Sequence, residues 1–174
     1  MAWKPLQIIA GLLTEVEALL TSAGAGDSGK IPALDATGRL DTSFMPAGIG
    51  ADTKSVVTSE NLTAGDFVNL YDASGTLTCR KADASTASAG KRAHGFVLAS
   101  TTSPASATVY FEGANGQRSG LTVGATYVLS AVAAGGVTIE ASGTTTAGHI
   151  LQKLGVATSA TEINVEIDDP MVRA

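Results

Sequence analysis

From Lys54 to the C-terminus, apolar and polar residues alternate in short runs broken by glycine-bearing turns, a rhythm that suits half-buried strands and little else. Strands are predicted over residues 55–59, 66–73, 76–82, 92–101, 107–113, 125–132, 137–141, 149–158 and 162–168. The segments "DASG" (72–75) and "AAGG" (133–136) have the length and glycine placement of hairpin turns. Composition agrees: of 174 residues, 20 are glycine, only 5% are aromatic and 16% charged, a balance that favours tight turns and small β-branched strands. The fold class expected is mainly β, a compact β-sandwich or barrel.

The β region echoes itself. "LTAGDFV" at Leu62 returns as "LTVGATYV" at Leu121, "GFVLAST" at Gly95 as "GVATSAT" at Gly155, and "ATVYFE" ending at Glu112 as "TEINVE" ending at Glu166. The offset is near 60 residues and shortens to 54 at the last pair. Two related halves, 62–113 and 121–168, are therefore expected within one β domain spanning 54–174.

The N-terminus has a different rhythm. Leu6, Ile9, Leu13, Val16 and Leu20 recur at spacings of three and four, and Ile8, Leu12 and Leu19 widen the stripe. A helix over residues 5–21 is predicted, with Pro5 in its first turn. Its seam suits either a coiled coil with other copies or packing against its own domain, and two heptads leave both open. Residues 22–53 then form a glycine-rich joint and an extended arm. Within the arm, Asp35-Ala-Thr-Gly38 has the same form as Asp72-Ala-Ser-Gly75, so a small reversal is expected there, bracketed by Pro32 and Pro46. Ile31, Leu34, Leu40, Phe44 and Met45 are its candidate apolar anchors. Glu15 and Glu17 interrupt the first apolar run, so neither a secretory signal nor a membrane span is expected.

Little in the chain suggests catalysis. His94 and His149 stand at strand entries outside any metal-ligand spacing, Cys79 reads as a small hydrophobe in a strand, and no glycine cluster follows a strand and opens a helix as a phosphate loop requires. No acidic pair stands out as a glycosidase site. A net charge of −5 opposes nucleic-acid binding, which depends on clustered Lys and Arg. A non-enzymatic protein with no cofactor and no metal is expected, and the single cysteine fits synthesis in a reducing cytoplasm.

The segment "GKIPALDATGRLDTSFMPAGIGAD", with the β region from "GDFVNLYDASGTLTCRKADAS" through "KRAHGFVLAS" and "GLTVGATYVLS" to "TEINVEI", resembles the capsid decoration (cement) proteins of tailed bacteriophages. The β module is similar to one also seen in phage tail-fibre proteins. The resemblance implies a homo-oligomer, a trimer, on the outer surface of the virion capsid, bridging neighbouring major capsid subunits to stabilise the shell. The alternative it leaves is a tail-fibre or baseplate adaptor. The candidate oligomer or capsid contacts are then Leu6, Ile9, Leu13, Val16, Leu20, Ile31, Leu34, Leu40, Phe44 and Met45.

Overall fold

A computed structural model describes residues 6–45, 51–85, 91–143 and 146–174. The chain divides into two units, Met1–Gly50 and Ala51–Ala174.

The N-terminal helix is not formed. Strands β1 (Leu6–Ile9) and β2 (Leu12–Glu15) pair as an antiparallel hairpin instead, with Ile9 opposite Leu12 and Leu6 opposite Glu15. The cause lies at the connection: Ala10 and Gly11 have φ of 51° and 83°. Two successive left-handed residues make the two-residue turn whose twist matches paired strands. A helix would have carried Gly11 in its interior at a cost of about 1 kcal/mol. A lone amphipathic helix of this length is also marginal in water without a surface to pack on. The helical spacing was thus compatible with a period of two, since Leu6, Ile8 and, across the hairpin, Leu13 share one face. Pro5 and Pro46 lie outside the described residues.

The rest of this unit consists of turns. Leu19 N–H donates to Ile31 O (2.9 Å) and Ala33 N–H to Leu19 O (2.7 Å), closing residues 20–31 into a loop. A 3₁₀ turn at Ala25–Asp27 lies within it, and the Asp27 carboxylate accepts from Ala23 N–H and from Lys30 Nζ. At residues 35–39 the chain reverses around Asp35, whose Oδ1 accepts from Thr37 N–H, Thr37 Oγ1 and Arg39 N–H, while Gly38 takes φ 78°. These bonds hold the Asp35 carboxyl below its usual range, the Arg39 N–H first among them. A second 3₁₀ turn, Thr42–Phe44, is capped by Asp41, which accepts from Ser43 N–H.

Among its described residues the C-terminal unit is built of strands, with one 3₁₀ turn at Glu140–Ser142. Strands β3 (Thr53–Thr58), β4 (Phe67–Ala73), β5 (Thr76–Lys81), β6 (Gly95–Val97) and β7 (Ser106–Tyr110) form a closed barrel in the order β3-β5-β4-β6-β7. All neighbours are antiparallel except β3 and β5, which close the barrel in parallel through Val57–Thr78 and Thr58–Cys79. Strands β8 (Gly113–Asn115), β9 (Thr126–Leu129), β10 (Val137–Ile139), β12 (Lys153–Ala157) and β13 (Ile163–Val165) form an antiparallel sheet in the order β10-β9-β12-β13-β8. Two short strands, β11 (Ile150–Leu151) and β14 (Met171–Val172), pair separately.

Strand for strand, the two large sheets share one plan: β5-β4-β6-β7-β3 matches β10-β9-β12-β13-β8 in order. The registers match too, Val68 opposite Gly95 as Tyr127 is opposite Gly155, and Val97 opposite Val109 as Ala157 is opposite Ile163. The echoing "LTAG" and "LTVG" segments make equivalent turns, with Gly65 N–H donating to Val97 O and Gly124 N–H to Ala157 O, both at 2.8 Å.

Strict alternation builds two cores. Val68, Val97, Val109, Cys79, Val56 and Ala107 point into the barrel, while Phe67 and Phe96 point outward and pack with Leu129, Leu154 and Ile163 of the second sheet. Phe96 stacks on Tyr110 at 5.6 Å between ring centroids. Gln152, fully buried, joins the two sheets by accepting from Ala93 N–H (2.8 Å) and donating to Ala93 O and Asp168 O (3.0 Å each).

Candidate assembly interface

The N-terminal unit exposes apolar side chains that nothing in it covers. Leu6, Ile8, Ile9, Leu12 and Leu13 are 50–76% exposed, and Ala18 is the one buried residue among those described in the unit. A two-stranded hairpin is marginal by itself in water, and among the described residues it contributes none to the buried clusters. Its register presents Leu6, Ile8 and Leu13 on one face and Ile9 and Leu12 on the other. The single seam expected from helical spacing is therefore split, with Ile9 facing away from Leu6 and Leu13.

The remaining predicted contacts follow the turns. Leu20 and Leu34 are about 60% exposed and Leu40 and Met45 less so, whereas Val16, Ile31 and Phe44 are half-buried. The Asp35 reversal places Leu34 and Leu40 at its two ends, and the Asp41-capped turn carries Phe44 at its last position. Seven of the ten candidate contacts, Leu6, Ile9, Leu13, Leu20, Leu34, Leu40 and Met45, are exposed, and the five expected on a helix stand on the hairpin and the turns after it. Ile8 and Leu12, which helical spacing set at the margin of the stripe, are the most exposed of the hairpin's leucines and isoleucines. Strand alternation in "LQI" is the signal that ranks Ile8 with Leu6.

The candidate chemical residues are occupied by the fold. His94 Nδ1 accepts the Leu70 N–H at 2.9 Å, and Arg92 Nε lies 3.0 Å from Nε2. Burial, with Arg92 adding to it, pushes the His94 pKa below its ordinary 6.5, so the ring is neutral packing at pH 7. Cys79 is fully buried inside the barrel and burial raises its pKa, which keeps it a thiol. No group of three or more His, Cys, Asp or Glu among the described residues is placed to hold a metal ion. Two neighbouring basic side chains are likewise engaged: Arg80 lies 4.3 Å over the Tyr71 ring and donates to Asn69 Oδ1, and Lys81 meets Asp66 at 3.4 Å. Among the described residues no helix is long and apolar enough to cross a membrane.

No protein-family model and no curated protein matches this chain.

Proposed function

We propose that this chain is a non-enzymatic structural protein of a tailed-phage virion, a capsid decoration protein that binds the outer capsid surface and bridges neighbouring major capsid subunits. The observation that carries the proposal is the division of labour between the units. Every residue of the two hydrophobic cores lies within 51–174, whereas residues 6–45 hold exposed apolar anchors on a hairpin and two ordered turns. A body that is complete by itself, joined to a segment that is not, suits a protein whose role is to make several contacts at once on a repeating surface. The sequence resemblance points to the same role.

The hairpin changes how an oligomer would be built. A trimer reached through an N-terminal coiled coil loses its basis, and with it the main attraction of the tail-fibre alternative. Assembly through strand edges and apolar faces takes its place.

The test is binding to purified shells. Added to genome-filled capsids lacking decoration, the protein should bind in hundreds of copies and raise their disruption temperature, and Leu6→Lys/Leu13→Lys should weaken that binding. Attachment confined to tails, in a few copies per particle, would transfer the protein to the adaptor role.

A further inference from the structure

The two matched sheets differ at one place. In the barrel, β5 is covered on its outer side by β3: Ser59 N–H donates to Cys79 O at 3.0 Å, and Lys81 N–H donates to Glu60 Oε1 at 2.8 Å. In the second sheet the equivalent strand, β10, ends the sheet. Its inner side is fixed by Ser130 N–H donating to Gly136 O, which makes Thr138 the residue bonded to Val128. By alternation Val137 and Ile139 direct their main-chain groups outward. Val137 O and Ile139 N–H, the counterparts of Cys79 O and Lys81 N–H, have no hydrogen-bond partner among the described residues. The chain that would cover them departs instead. Residues 117–122 stand away from β10, with Arg118 bonding Thr161 O and Gly65 O, and leave a cleft of about 490 Å³ between them and Val137–Ile139.

We propose that this cleft accepts a strand from a second copy of the same chain, and that the strand is an edge of the β1–β2 hairpin. Three observations select that occupant. The barrel shows that the equivalent slot is filled by an extended segment of this same chain, the end of β3 at Thr58 with Ser59 and Glu60 after it. The hairpin offers such a segment in β1, which is uncharged and mostly apolar, and its outer edges have no strand partner among the described residues. It also has exposed apolar faces and contributes no described residue to the buried clusters, so it gains most from being covered. Each copy then donates one strand and accepts one, a head-to-tail contact of the kind that builds rings when the rotation between copies closes and filaments when it does not; the finite size of a virion component selects the ring. The inference concerns the free chain and stands whether or not the partner surface is a capsid.

The experiment uses two full-length variants examined by sedimentation velocity. Ile139→Pro blocks acceptance: residue 139 already has φ −62°, which proline matches, and proline removes only the outward N–H. Ile8→Lys/Leu13→Lys blocks donation through side chains that are exposed. The parent chain is expected to sediment as a closed oligomer and each variant as a monomer with the parent's β circular-dichroism signal. Mixing the two variants should yield a one-to-one dimer that grows no further. A monomeric parent, an Ile139→Pro chain that assembles normally, or failure of the mixture to dimerise would each overturn the proposal. Should Ile139→Pro fail to fold, assembly of Ile8→Lys/Leu13→Lys at the parent's mass would overturn it equally.

Discussion

At the scale of single residues, the matched sheets make demands that small side chains alone satisfy. A Cβ built on Gly95 would meet Tyr110 O at 2.5 Å, and one on Gly155 would meet Asn164 O at 2.0 Å with φ already at +146°. These glycines occupy the same register position in the two sheets, opposite Val68 and Tyr127, and each faces a carbonyl of the fourth strand. Gly95→Ala is expected to lower stability by about 3 kcal/mol, read from urea unfolding, because backbone must move to admit the methyl group. A variant with the parent's midpoint would show that the strands are further apart than this. His94 gives a pH signature. Its folded-state pKa is depressed, so the unfolded chain takes up the proton first as pH falls below about 6.5. Thermal stability of the body should therefore drop between pH 7 and pH 5, and His94→Gln should flatten that drop. An identical pH profile in the variant would assign the loss to other groups.

At the scale of elements, the N-terminal hairpin shows how two periodicities compete. Leucine, isoleucine and valine at 6, 9, 13, 16 and 20 satisfy helical spacing, and "LQI" also satisfies alternation. The outcome turns on two residues at the connection, Ala10 and Gly11, both left-handed. Alanine accepts that conformation reluctantly. Ala10→Asn, which creates the preferred Asn-Gly turn, should stabilise the hairpin by roughly 0.7–1 kcal/mol and slow hydrogen exchange of the Gln7 and Thr14 amides about three- to five-fold. Faster exchange together with a rise in helical circular dichroism would restore the helix. The strands of the body were easier to read, since glycine turns such as Asp72–Gly75 punctuate them, with Gly75 N–H bound by Asp72 Oδ1. Strands β8 and β14 escaped notice because they are short and follow no alternating run.

At the scale of the whole molecule, the hydrophobic cores belong to one unit alone. Both cores draw only on residues after Gly50. Removing residues 1–50 should leave the melting temperature of the body within about 3 °C of the parent, measured by circular dichroism. Collapse of the β signal in that truncation would mean that the N-terminal unit is part of the body's fold.

The amino-acid sequence by itself determined that the body is β, where most of its strands and turns lie, and that its second half repeats the rhythm of the first, because alternation and glycine punctuation are local properties of the chain. It also marked the first 45 residues as a segment apart, whose apolar side chains follow a rhythm different from that of the body. Tertiary structure decided what local pattern leaves open. Whether the first apolar run coils or pairs depended on a turn of two left-handed residues. Whether a five-stranded sheet closes depended on a long-range parallel contact, present at Val57–Thr78 and lacking beside β10, and a contact between distant segments has no periodicity from which it can be read.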